Sequence, residues 1–182
     1  CDWSSDVCSS DLSTRYPARN RLIVLLSVKA GLRAKEIASL TWSMVTDAEG
    51  ELSDVIALTD EASKGKRGGR SIPINRDLKA ALSIWKGEAP SSPYVITSER
   101  EERTSAAAIV NKFQAWYRAL GFDGASSHSG RRTFITAAAR RISLVGGSLR
   151  DVQLLAGHST LSTTQRYIEA DTQAMKRVVE LI

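Results

Sequence analysis

The sequence predicts a mainly α-helical domain carrying one small antiparallel β-sheet, an α+β architecture. Three observations predict it. Apolar residues recur at helical spacing in several segments that end at glycine or open with capping residues. Two stretches suited to strands flank a single glycine-rich turn, SKGKRGGR. The chain of 182 residues shows no internal repeat and no clear linker after residue 20, and it is long enough for one hydrophobic core.

The elements follow in order. A helix starts at Ala18, with Pro17 suited to its first turn and Leu22, Leu25, Leu26 and Lys29 on related faces; Gly31 ends it. Ala34 to Trp42 predicts a second helix, with Ile37, Leu40 and Thr41 inward. The stretch AEGELSDVIAL supplies a turn and a strand from Val55 to Thr59, and the return strand runs from Arg70 to Ile74, with Pro73 marking an edge. Asp77 to Lys86 is a short helix, and Pro90 and Pro93 mark a loop. Thr104 to Leu120 is a long amphipathic helix with Ile109, Phe113, Trp116 and Leu120 on one side, closed by Gly121. Ser129 to Ile142 and Leu149 to Leu155 follow, the latter opened by a Ser148/Asp151 capping box. A second box, Ser162 with Gln165, is expected to open a helix carrying Tyr167.

Composition narrows the function. Hydrophobic residues make up 42% and charged residues 25%, the balance of a soluble domain. The longest apolar run, LIVLL at 22–26, is too short to span a bilayer, and no signal-like segment opens the chain, so no membrane partner and a cytoplasmic location are expected. Both cysteines, Cys1 and Cys8, lie in the Ser/Asp-rich opening CDWSSDVCSSDL. Residues 1–14 are therefore set aside as a non-native or disordered head, and the domain is assigned to 15–182. That domain is cysteine-free, which removes disulfides, thiol catalysis and cysteine-ligated zinc. A net charge of +5 favours a polyanionic partner weakly; its clustering at Lys64, Lys66, Arg67 and Arg70, and again at Arg131, Arg132, Arg140 and Arg141, says more.

Four segments carry the chemistry: AGLRAKEIASLTW around Arg33, SKGKRGGRSIPI around Lys64, HSGRRTF around His128 and Arg131, and AGHSTLSTTQRYIE around His158 and Tyr167. Singly, each has a structural explanation as a surface charge, a solvated turn, a helix cap or a gap-filling ring. Together they assemble a nucleophile among cations and proton donors. A phosphodiester under attack gathers negative charge on its nonbridging oxygens, and two arginines present planar forks of donors to them. A lysine protonates a departing alkoxide, histidines move protons near neutral pH, and a tyrosine hydroxyl serves as a covalent nucleophile. No acidic cluster suited to Mg²⁺ accompanies the set, so chemistry without metal or cofactor is expected.

On these motifs (GLR-x-x-E, a hairpin lysine before R-x-x-P, H-x-x-R, and GH followed by a tyrosine) residues 15–182 resemble the catalytic domain of the tyrosine recombinases, the phage-integrase family. The resemblance implies that Tyr167 attacks the scissile phosphate to give a 3′-phosphotyrosyl link and a free 5′-hydroxyl. It implies that Arg33 and Arg131 clamp the nonbridging oxygens, Lys64 protonates the leaving 5′-oxygen, His128 assists proton transfer and His158 hydrogen-bonds the phosphate. Lys66 is the alternative to Lys64, because the hairpin is about one residue longer than usual. Glu36 orients the site, and Lys66, Arg67, Arg70 and Arg132 are expected DNA contacts. Where the family often has leucine before the second arginine and histidine after it, this chain has Gly130 and Arg132.

The implied activity is site-specific cleavage and rejoining of double-stranded DNA for integration, excision or inversion, by a bacterial or phage protein. Self-association on DNA, as a tetramer, is expected through residues 172–182, whose Met175, Val178, Val179 and Ile182 form one stripe. The family's N-terminal core-binding domain is expected to be absent. A relaxing enzyme of the type IB topoisomerase kind, or a DNA-binding fragment that does not cut, are the alternatives.

Overall fold

A computed structural model of the chain describes residues 16–59, 69–98, 103–168 and 178–180. The chain divides into two compact units, Cys1–Phe134 and Ile135–Ile182. The division falls inside a continuous helix, which is why no linker marks it in the sequence.

The first unit opens with helix α1 (Pro17–Ala30). Pro17 occupies its first turn and Gly31 ends it in the left-handed conformation, φ 63°, which costs glycine nothing. Leu22, Ile23 and Leu26 on this helix are fully buried. Arg19 is buried as well; its Nη1 donates to the Thr97 carbonyl at 3.1 Å and its guanidinium lies 4.7 Å from the centre of the Tyr16 ring. Helix α2 (Ala34–Ser39) is followed by a 3-10 turn, Trp42–Met44. Strands β1 (Val55–Leu58) and β2 (Arg70–Pro73) pair antiparallel, Val55 opposite Pro73 and Leu58 opposite Arg70, with Ile56, Leu58 and Ile72 turned into the core. Helix α3 (Arg76–Glu88) is capped by Asn75, whose side chain accepts from Leu78 N–H at 2.9 Å. It packs against α1 and buries Trp85, whose Nε1 donates to the Val95 carbonyl. Helix α4 (Ala106–Ala119), capped by Ser105, packs against α2.

Helix α5 (Ser129–Arg141) passes from the first unit into the second. The second unit continues with a 3-10 turn, Ile142–Val145, and helix α6 (Leu149–Ala156). At the start of α6 the Asp151 carboxylate accepts from the Ser148 N–H at 2.7 Å and from its hydroxyl at 3.0 Å, as the capping pattern predicts. Gly157, φ 61°, ends α6, and the short helix α7 (Leu161–Gln165) packs against it, burying Val152, Gln153, Ala156 and Thr164.

Most boundaries agree with the sequence reading to within two residues; three expectations need correction. The second helix stops at Ser39 rather than Trp42, because Leu40 and Thr41 turn extended and bond to the 93–95 segment: Val95 N–H to Leu40 O at 2.8 Å and Trp42 N–H to Pro93 O at 2.9 Å. Long-range pairing wins there over helical propensity. On α4 the third deeply buried residue is Tyr117 rather than Trp116, and its ring stacks on Phe113. The Ser162/Gln165 capping box does not form; α7 starts at Leu161 after Thr160, whose hydroxyl instead meets those of Ser162 and Thr163 at 3.0 Å. Tyr167 therefore lies in the turn after α7. Among the described residues no helix is long and apolar enough to cross a membrane.

Candidate active site

In the first unit the GLR segment and the H-x-x-R segment are joined through backbone and charge. Arg33 precedes α2 in extended conformation and Glu36 reaches back one turn to it. The Glu36 carboxylate accepts from the Arg33 N–H at 2.8 Å through Oε2 and from Arg33 Nη1 at 2.8 Å through Oε1. Oε2 also accepts from Arg70 Nη2, at 2.9 Å. Glu36 is 1% exposed, so one buried carboxylate lies between two guanidiniums. Burial pushes the Arg70 guanidinium below the ordinary arginine value; the ion pair and hydrogen bond with Glu36 oppose this, and the nearby charge of Arg33 adds to it. Arg70 remains a cation throughout the range in which proteins fold.

Arg131 is buried on α5, and its Nη1 donates to the carbonyl of Gly31, the residue that ends α1. The two helices come close at Gly130, where a Cβ would lie 2.5 Å from Ser27 Oγ and 2.9 Å from Val28 Cγ1. With no side chain at Gly130, α5 can approach α1 this closely one residue before Arg131. His128 is exposed at the start of α5; its N–H donates to Ser126 Oγ at 3.3 Å and its carbonyl accepts from Arg132 N–H at 2.9 Å. Arg132 is exposed.

In the second unit the left-handed turn at Gly157 releases His158 from α6, and α7 returns the chain so that Tyr167 stacks on it. The two rings lie 5.6 Å apart, centre to centre, at 20°. His158 is fixed from three sides. Its Nδ1 is 3.0 Å from Thr164 Oγ1, its carbonyl accepts from Gln153 Nε2 at 2.9 Å, and its N–H donates to the Gln153 carbonyl at 3.1 Å. The Tyr167 carbonyl accepts from Thr136 Oγ1 at 3.3 Å and its N–H donates to Thr164 O at 3.0 Å.

Arg33, Glu36, Arg70, Arg131 and His128 are thus placed in the first unit, and His158 and Tyr167 in the second. Lys64, Lys66 and Arg67 lie outside the described residues, as do most of 172–182; of the expected C-terminal stripe, Val178 and Val179 are described and exposed, at 57% and 70%. The roles of two side chains that organise the site escaped the sequence reading. Thr164 sits three positions before the tyrosine, at a spacing that would have placed it on the same side of a helical turn. Arg70, which the sequence marks as the start of the return strand and an expected DNA contact, pairs with the buried Glu36. Among the described residues no three His, Cys, Asp or Glu side chains cluster to hold a metal ion.

The fold and these motifs define a class: the chain matches the model of the phage integrase family over residues 7–174 and belongs to that family. The match begins inside the head that the sequence reading sets aside. Among its relatives, the tyrosine recombinase XerA of Pyrococcus horikoshii is 30% identical over 168 residues, covering 89% of this chain and 54% of that protein. The tyrosine recombinase XerC of Proteus mirabilis is 28% identical, over 98% of this chain and 56% of that protein. The chain therefore spans about half the length of the curated relatives it matches. The crystal structure of XerA recombinase shares the fold at a TM-score of 0.73 and 23% identity, over 96% of this chain and 60% of that one. The Tn1549 transposon integrase, solved in complex with a circular intermediate DNA, does so at 0.76 and 17%, over 97% and 62%.

Proposed function

We propose that the chain is the catalytic region of a site-specific DNA recombinase that breaks and rejoins strands through a 3′-phosphotyrosyl intermediate. Tyr167 Oη attacks the scissile phosphorus, the P–O5′ bond breaks, and the 5′-oxygen leaves as a hydroxyl with a proton from Lys64. Attack by a 5′-hydroxyl on the phosphotyrosyl bond then rejoins a strand and frees the tyrosine. Arg33 and Arg131 neutralise the nonbridging oxygens, His158 donates to one of them, and His128 assists removal of the tyrosine proton. Lys66, Arg67 and the exposed Arg132 contact the duplex, and residues 172–182 join protomers on DNA.

The observation that carries this proposal is the pairing of Tyr167 with a tethered His158. A tyrosine serving only as packing needs no histidine held from three sides beside it. Family membership and the names of the relatives favour recombination over relaxation. The test is covalent capture. The protein is incubated with a pool of nicked duplexes bearing a randomised window, and adducts are resolved on denaturing gels and sequenced. Wild type forms an adduct through Tyr167, and Tyr167→Phe forms none while still binding the selected duplex. An adduct persisting in the variant overturns the assignment. A two-site assay with the selected sequence then gives recombinant product if strands are exchanged, and relaxed circles alone if they are not.

A further inference from the structure

We infer that Arg70 is a positioning residue for Arg33, acting through Glu36, rather than a contact to DNA; this rests on the function proposed above. Its charge and its place beside the glycine-rich turn suggest a phosphate contact, but its side chain is only 11% exposed and its Nη2 is committed to Glu36 Oε2. That oxygen is the one that accepts the Arg33 N–H, while Oε1 alone holds the Arg33 guanidinium, through Nη1. An arginine offers five N–H donors. With Oε2 loaded by Arg70, Glu36 grips the Arg33 fork by one donor, and the remainder are left for a phosphate. Arg33 is 25% exposed, compatible with that reach.

Without Arg70 the Arg33 guanidinium gains access to both oxygens of a buried carboxylate, and the two-pronged pairing that arginine and carboxylate favour turns its donors inward. Arg70 is well mounted for this task. It opens β2 opposite Leu58, whose side chain is buried, so backbone pairing rather than a free loop sets its position. A rigid element holds a supporting side chain more accurately than a loop does.

The test uses the duplex selected by covalent capture and measures single-turnover adduct formation beside equilibrium binding. Arg70→Met slows adduct formation about tenfold or more, and Arg70→Lys, which keeps a cation on Oε2, recovers most of the rate. Both variants bind DNA as wild type does, with the same slope of log K against log salt. A slope shallower by about 0.9 would make Arg70 a phosphate contact and overturn the inference. Because a charge left buried without its partner destabilises the fold, Arg70→Met is also placed in a Glu36→Gln background. There it has no further effect on the rate, whereas an additive loss means that Arg70 does not act through Glu36. Equal rates for Arg70→Met and wild type overturn the inference alone; absence of any wild-type adduct overturns the proposed activity with it.

Discussion

Arg131 donates its guanidinium to the carbonyl of Gly31, 100 positions earlier in the chain. The arginine of the H-x-x-R motif is thereby tied to the residue two before the arginine of the GLR motif, and the turn that ends α1 serves as mount for both. Anything that reshapes that turn disturbs the pair together.

Gly31→Ala is expected to destabilise the protein by about 1–3 kcal/mol, since the backbone is left-handed there and the added methyl falls inside contact distance of the Phe134 ring. Adduct formation should fall further than stability does, because the Arg131 acceptor moves. Denaturant unfolding beside single-turnover cleavage checks both; an unchanged rate would separate the mount from the chemistry.

Glu36→Ala leaves two guanidiniums without their shared carboxylate. The expected loss is about 2–3 kcal/mol, below the range for a fully buried pair because the Arg33 side chain is a quarter exposed. Glu36→Gln, which keeps shape and one acceptor, should cost less. A Glu36→Ala protein as stable as wild type would show that the ionic cluster contributes nothing to the fold.

Thr164→Val keeps the shape of a fully buried side chain and removes the hydroxyl 3.0 Å from His158 Nδ1. Stability should fall by about 1 kcal/mol. Cleavage should slow by about tenfold, because that hydroxyl helps to hold the His158 ring in its orientation beside Tyr167. Retention of the wild-type rate would mean that the stacked Tyr167 ring alone orients the histidine.

The Asp151 carboxyl at the start of α6 is held below its ordinary value of 3.8 by the Ser148 backbone N–H first and the Ser148 hydroxyl second. A folded value lower than the unfolded one gives stabilisation that is complete above the unfolded value and lost as the pH falls through the folded one. Asp151→Asn should therefore lower stability at neutral pH and flatten its acid dependence. Denaturant titrations from about pH 6 down to about pH 2 measure the difference; parallel curves for the two proteins would remove Asp151 from the acid response.

Local signals made the fold legible. Pro17, Gly31, Ser148 with Asp151, and Gly157 each act within a few residues, so their effect is readable from sequence, and all sit at helix ends. The end of α2 was not readable, because the bonds that terminate it come from Pro93 and Val95, more than fifty positions away. The candidate site divides in the same way. His158 and Tyr167 stand out as chemistry-bearing types in a polar segment. Arg70 looked like its neighbouring hairpin cations, and only the depth of Glu36 distinguishes it. Buried Arg19 gave no signal at all, since nothing in an amphipathic pattern announces a cation inside it.

The contact at Gly130 constrains the order in which this lineage can change. Ser27 Oγ and Val28 Cγ1 occupy the space that any larger residue at position 130 would need, and Ser27 Oγ has no hydrogen-bond partner among the described residues. Ser27→Ala and a smaller residue at 28 must therefore both come first, with Gly130→Leu afterwards; the reverse order passes through a clash. Substitutions at 27, 28 and 130 should be inherited as a set. Chains descended from this one should show leucine at 130 only where the face of α1 has already receded.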